Sequence, residues 1–304
     1  MRERGSQRAG LVYALGAFLL WGFFPVYWKL LAGVPALEVV AHRTAWGFAA
    51  VALWVTVKRR WPDARAVAAR GGTLLLLAGS AALIAINWLL YIWAVINGHI
   101  VEASLGYYIN PLVNILLGVF VLRERLSRPQ VIAVALAGVG VVVLTAGYGR
   151  FPWIALTLAV SFGLYGLSRK QVSADAIIGL LFETAILTPF AIGYLTLLAK
   201  QGAGALGTGS PGRDVLLVLA GPVTAIPLAL FALGARRLPL SGIGLIQYLS
   251  PTCQFLLAVL LYREPFTTAH AVTFACIWLA LALLTWDLTT RLRAVRAVAD
   301  AASG

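Results

Sequence analysis

Apolar runs separated by short polar, glycine- or proline-bearing joints recur along the chain at 10–31, 36–57, 73–96, 101–122, 130–146, 151–168, 176–198, 214–234, 240–262 and 268–287. Each is long enough to span ~30 Å of hydrocarbon at about 1.5 Å per residue. The pattern therefore predicts an all-α integral membrane protein of ten transmembrane helices. The joint between the fifth and sixth helices is the weakest, marked only by Gly147, Gly149 and Pro152. At the start, Arg2, Arg4 and Arg8 precede an apolar run longer than a signal-peptide core, and Pro25 and Lys29 stand where a cleavage site would fall. An uncleaved first helix is expected.

Composition agrees with this reading. Of 304 residues, 61% are hydrophobic and only 12% charged, and a soluble domain carries about twice that charge. The net charge of +13 would suggest nucleic acid in a soluble protein, but the cations lie in short runs between apolar stretches, such as Lys58, Arg59, Arg60, Arg65 and Arg70. That distribution fits loops beside anionic lipid, and no nucleic-acid partner is expected. With loops assigned alternately, the side opposite the termini collects only Lys29, Arg150, Lys200, Arg213 and Arg263. Arg43 lies within helix 2, and the other lysines and arginines share a side with the termini, so both termini are expected in the cytoplasm. Cys253 and Cys276 sit in apolar segments without metal-ligand spacing and are read as packing residues.

The two halves repeat each other. Pro111 through Leu122-Arg123-Glu124-Arg125-Leu126 matches Pro251 through Tyr262-Arg263-Glu264-Pro265-Phe266 at an offset of 140, and Gly22 and Lys29 match Gly163 and Lys170 at 141. An odd number of helices per repeat inverts the second relative to the first, as in many secondary transporters. The expected organisation is one repeat over 1–146, a second over 151–287, and a basic cytoplasmic tail over 288–304.

Polar residues in apolar helices need a partner, a cavity or a role. Pro111 and Pro251 each remove an amide donor and are expected to break helices 4 and 9 near mid-membrane. Around them Tyr107, Asn110 and Asn114, and in the other half Gln247, Ser250 and Gln254, form stripes at i, i+3, i+7, expected to face a shared interior or else to bond helix to helix. Glu38, His42 and Arg43 occupy helix 2, and Glu183 in helix 7 corresponds to His42 at offset 141. Arg43 and Glu183 should lie about 10 Å from opposite boundaries, so no salt bridge between them is assumed. As the carboxylate deepest in the hydrocarbon, Glu183 is the candidate for proton coupling; the alternative is a structural glutamate neutralised by Arg43 or His42. Trp21, Trp88, Tyr91, Trp93, Tyr107 and Tyr108 form an aromatic group, of which Trp21, Tyr91 and Tyr107 are deep enough to line a cavity. Asn87 shares a helix face with Tyr91.

Other motifs fall away. Gly202, Gly204 and Gly207 satisfy G-x-G-x-x-G, but in a loop after a membrane helix with no strand–turn–helix context. There is no Walker lysine, H-E-x-x-H or G-x-S-x-G, and His42, His99 and His270 are far apart, so neither a metal nor a cofactor is expected.

The motifs Trp21-Gly22 with Pro25 and Lys29, Val34-Pro35-Ala36 before Glu38, His42-Arg43, Asn87 through Trp93, Glu102 through Tyr107, Asn110 through Asn114, Tyr165-Gly166 before Arg169-Lys170, Gln247-Tyr248, Ser250-Pro251-Thr252 and Val272 through Ala275 resemble RarD-type permeases, in the EamA family of the drug/metabolite transporter superfamily. The resemblance spans nearly the whole chain. It implies ten helices in two inverted five-helix repeats in a bacterial plasma membrane, working by alternating access without ATP. One departure is Trp278, where a glycine matching Gly138 is expected.

The leading reading is thus a secondary transporter of a small metabolite or drug-like solute, with protons as the candidate coupling ion and a homodimer left open. The alternatives are an uncoupled facilitator, a non-transporting membrane protein or an intramembrane enzyme, the last lacking a nucleophile, a metal set or a paired acid and base. Trp21, Asn87, Tyr91, Tyr107, Asn110, Asn114, Gln247 and Gln254 are the expected substrate-binding residues, with His42, Arg43 and Glu183 for coupling or gating. Amides, tyrosines and tryptophan beside Arg43 and Glu183 suit a small amphipathic or zwitterionic solute.

Overall fold

A computed structural model describes residues 2–303 except 71, 124–125, 173, 236, 239–242 and 244–245. The described elements are helical: α1 (Arg2–Gly22), α2 (Phe24–Lys29), α3 (Ala36–Val57), α4 (Trp61–Ala68), α5 (Thr73–Ile96), α6 (Ile100–Leu122), α7 (Arg128–Tyr148), α8 (Trp153–Gln171), α9 (Ala176–Lys200), α10 (Pro211–Ala235), α11 (Leu249–Leu256, running into a π-helical turn over Leu257–Leu261) and α12 (Thr268–Ser303). Seven stretches are long and apolar enough to cross a membrane: Arg8–Lys29, Thr73–Ile96, Ile100–Val121, Arg128–Gly147, Ala176–Lys200, Pro211–Gly234 and Thr268–Asp287. Trp153–Arg169 and Leu249–Leu261 are apolar but shorter. Helix α3 has the length, but Glu38, His42 and Arg43 reduce its apolarity.

Large apolar side chains point outward along the spans, among them Leu75, Phe120, Phe190 and Leu260, each more than 70% exposed. Water would not tolerate so much outward apolar surface, whereas lipid does. The ionisable residues of α3, Glu38, His42 and Arg43, are buried where that helix packs against α9, α10 and α5, while Leu53 and Val57 near its end stay exposed. Small residues make the enclosure possible. A Cβ at Gly221 of α10 would sit 2.2 Å from the Trp46 carbonyl carbon and 2.4 Å from the Gly47 amide of α3, so the two backbones touch there.

Several expectations change at the helix ends. The first helix breaks at Phe23, because Pro25 cannot donate to the Trp21 carbonyl. That freed carbonyl accepts Gln254 Nε2 from α11 at 3.2 Å. Helix α6 runs unbroken through Pro111, contrary to the expected break. In the other half a turn at Gln247–Tyr248 precedes α11, and Pro251 lies in the first turn of the new helix, where a missing amide costs little. The first part of the expected helix 9 and the Glu124-Arg125 part of the repeat lie outside the described residues. Residues 288–303, expected as a tail, prolong α12, and the short α4 was not anticipated.

Helix α12 packs against α7. Gly140 and Gly147 bring α7 against Cys276, Thr273 and Ala269, while a Cβ at Gly138 would meet nothing. Trp278, standing where the glycine was expected, packs its ring against Tyr108, Phe255 and Phe274. The departure therefore adds aromatic packing rather than opening a close contact.

Because both partners at the α3–α10 crossing are backbone, neither can yield. Gly221→Val should therefore sit at or beyond the upper end of the roughly 1–3 kcal/mol cost of overpacking, read as a lowered melting temperature in detergent. Gly138→Val should leave that temperature nearly unchanged.

Candidate functional site

Two buried polar clusters lie at different levels of the bundle, joined by one face of α5 that carries Ser80, Ile84, Asn87, Trp88 and Tyr91. Their spacing follows the helical repeat, and Ser80 and Tyr91 are about 16 Å apart along the axis.

The first cluster centres on Glu183, which is fully buried. Ser80 Oγ donates to its Oε1 at 2.8 Å and Tyr165 Oη to its Oε2 at 3.2 Å. Arg169 Nε lies 3.6 Å from Oε1. Arg169 reaches this position by lying across Gly179, where a Cβ would be 2.0 Å from its guanidinium, and by donating to the Asp175 carbonyl at 3.1 Å. The neutralising cation is thus neither Arg43 nor His42 but a residue read from the sequence as a loop charge. Arg169 and Glu183 meet because α8 and α9 both pack against α5, a relation between helices that residue spacing does not carry. Beside Arg169, Asp175 caps α9 by accepting from the Ile177 and Ile178 amides at 3.0 Å, and it pairs with Arg60 at 2.5 Å. Burial alone would raise the Asp175 carboxyl, but the helix amides and Arg60 hold it below its ordinary value.

The second cluster centres on Arg43, 4% exposed. Its guanidinium carbon lies 3.9 Å from the Trp88 ring centre and 5.3 Å from that of Trp28. Among the described residues Arg43 Nε and Nη1, Trp28 Nε1 and Tyr91 Oη have no hydrogen-bond partner. Next to them Tyr91 meets Tyr107 edge-on at 5.6 Å, and Tyr107 Oη donates to Asn87 Oδ1 at 3.3 Å. The Asn87 amide donates in turn to the Leu158 carbonyl and Ser161 Oγ of α8, both at 3.0 Å. Cation–π contact is worth about 2 kcal/mol where desolvated, whereas an uncompensated buried charge costs several. The rings orient this guanidinium without neutralising it.

The remaining expected site residues are dispersed. Asn110 donates to the Ala159 carbonyl of α8 at 3.1 Å, and Asn114 donates to Asn110. Gln254 bonds to α1 as described, so the two stripes face α8 and α1 rather than one interior. Gln247 is half-buried in the turn before α11. Trp21 packs with Phe18 and Phe231. His42 Nε2 lies 4.0 Å from Glu38 Oε1, which accepts the Ala205 amide at 2.5 Å. Glu264 accepts from the Ile100 and Val101 amides at 2.9 and 2.8 Å, closing the N-terminus of α6. At the Arg43 end of the bundle a cavity of about 430 Å³ is lined by Trp93, His99, Glu102, Arg150, Trp153 and His270, among others. His99, read as an interfacial residue, stacks there on Trp93 and lies 3.4 Å from Glu102.

These apolar outer faces and enclosed ionisable groups define a multi-pass helical membrane protein. A model described as the EamA-like transporter family matches residues 8–146. "Uncharacterized transporter YojE" of Bacillus subtilis is 46% identical over 94% of this chain and 96% of its own, and "Protein RarD" of Streptomyces exfoliatus is 45% identical over 100% and 96%. The chain belongs to the EamA-like transporter family and is a RarD-type permease by its relatives, as its motifs implied. A solved structure described only as a crystal structure of a protein superimposes with a TM-score of 0.59 at 19% identity, over 91% of this chain and 97% of that one. At that identity the likeness speaks for the fold alone.

Removing one member of the Glu183–Arg169 pair leaves a buried charge, which costs about 3–5 kcal/mol, whereas removing both is far milder. Arg169→Met should therefore lower the melting temperature in detergent more than Arg169→Met with Glu183→Gln does, and a simple sum of the single effects would contradict the pairing.

Proposed function

We propose that this chain is a secondary transporter that carries a small solute across a bacterial plasma membrane by alternating access, with ten spanning helices in two inverted repeats. The observation that carries the reading is the enclosed polar cluster around Arg43, held at membrane depth by helices from both halves and left short of acceptors. A protein with only a structural role has no use for so costly a group.

Adding α3, α8 and α11 to the seven apolar spans gives ten. The packing supports the repeat. Under a pairing of α1 with α8, α3 with α9, α5 with α10, α6 with α11 and α7 with α12, the α1–α10 contact becomes α8–α5 and the α1–α11 contact becomes α8–α6, and both images occur. The α3–α9, α6–α11 and α7–α12 contacts map onto themselves. Close approaches follow the same rule: Gly22 lies against Cys253, and Gly163, at offset 141, against Val113, at offset 140. The repeats then span 1–146 and 151–287, with both termini cytoplasmic by the charge asymmetry.

In this reading Asn87, Tyr91, Tyr107 and Arg43 form the binding region, and Trp21, Asn110, Asn114 and Gln254 hold the helices that frame it. Glu183 remains the candidate for coupling to protons. Its pairing with Arg169 lets one proton exchange for one ion pair, a two-state element of the kind that coupling requires. His42, beside Glu38, is the second candidate for gating.

The test compares metabolites inside and outside cells with and without the chain, then measures the leading solutes in proteoliposomes. Transport should appear only with the protein and, if proton-coupled, should respond to a pH gradient in wild type and lose that response in Glu183→Gln. Unchanged proton dependence in Glu183→Gln would remove the coupling role, and no transported solute in either assay would remove the transport reading.

A further inference from the structure

We infer that the Arg43 cluster is a recognition site for an organic monocarboxylate with an apolar body and no second charge. The inference rests on reading the chain as a transporter and names the class of its substrate. Donors outnumber acceptors in the cluster. Arg43 Nε and Nη1, Tyr91 Oη and Trp28 Nε1 are buried groups without partners among the described residues, and all can donate. The nearby acceptor, Asn87 Oδ1, already takes the Tyr107 hydroxyl, and the Asn87 amide is spent on α8. A ligand fitting this set must bring acceptors rather than donors.

Charge narrows the class further. Arg43 has no ion-pair partner among the described residues, and the carboxylate of Glu183 is engaged by Arg169, Ser80 and Tyr165 at the other cluster. One uncompensated cation in a low dielectric is neutralised by one negative charge. A phosphate dianion would leave charge over, and the ammonium of an amino acid would meet only the hydroxyl oxygens of Tyr91 and Tyr107 in the cluster, since Glu38, whose Oε2 is also unpartnered, forms its ion contact with His42 and not with Arg43. A carboxylate also matches the planar guanidinium fork, whose orientation Trp88 and Trp28 hold through their ring faces. The aromatic rings of Trp28, Trp88, Tyr91 and Tyr107 then offer apolar walls for the body of the acid.

The full chain, purified in detergent, would be titrated with phenylacetate, indole-3-acetate, phenylacetamide and L-phenylalanine, with binding read from tryptophan fluorescence and the shift in melting temperature. The two carboxylates should bind, and the amide and the zwitterion should bind about tenfold more weakly or not at all. Arg43→Gln should weaken the carboxylates by about tenfold or more while leaving any amide binding unchanged, and Arg43→Lys should recover only part of the loss because it keeps the charge without the fork. The comparison of acid with amide in the unaltered protein needs no variant to fold. Equal binding of acid and amide, tighter binding of phenylalanine than of phenylacetate, or no carboxylate binding would overturn the inference. Transport of neutral or cationic solutes unaffected by phenylacetate would refute it while leaving the transport reading intact. Arg43-dependent binding of the acids with no transported solute would uphold it and refute transport.

Discussion

In the proposed ten-span arrangement a guanidinium can be held at membrane depth only where protein takes the place of water around it, and the helices packed on α3 keep Arg43 buried. Helix α3, which carries it, is pressed between α9 and α10 and touched by α5. The α3–α10 contact depends on the absence of a side chain at Gly221. Trp88 from α5 and Trp28 from α2 cover the guanidinium. The apolar surfaces of the other spans then face outward, where their exposure suits hydrocarbon.

Backbone groups obey the same constraint. Pro25 releases the Trp21 carbonyl, which in lipid would cost several kcal/mol unpaired, and Gln254 reaches across from α11 to satisfy it. A side chain that reads in sequence as part of a binding stripe is thus accounted for by a proline 229 positions away in the chain. Glu264 does similar work at the start of α6, accepting from two amides that no helical carbonyl can reach.

What could be read from the sequence divides along physical lines. The limits of α3 and α5 follow from hydropathy alone, because lipid thickness sets the length of a span and the joints at Pro35 and Gly72 are sharp. The end of α12 did not, since a helix can leave the membrane and continue through polar residues such as those after Asp287. Ionisable residues in apolar runs marked Arg43 and Glu183 as candidate sites, because their cost depends on depth alone. Their partners depend on how helices cross, so Arg169, Ser80 and Tyr165 for Glu183, and Trp28 for Arg43, had no signal in spacing. Positions related by the proposed repeat also carry different chemistry. Trp28 corresponds to Arg169, His42 to Glu183 and Arg43 to Thr184 at offset 141. One half thereby holds an ion pair, and the other a cation between aromatic rings with no ion-pair partner among the described residues.

The proposed alternating-access cycle requires that these two clusters be reached in turn from opposite faces of the membrane. It is tested most directly by cysteines placed one at a time at Asn87 and Ser80, with Cys253 and Cys276 replaced by alanine, and probed with a membrane-impermeant thiol reagent in right-side-out and inverted vesicles. The account predicts that Asn87→Cys reacts mainly from the external face and Ser80→Cys mainly from the cytoplasmic face, and that a transported solute changes both rates in opposite directions. Labelling of both positions from a single face, or no labelling of either under any condition, would contradict it.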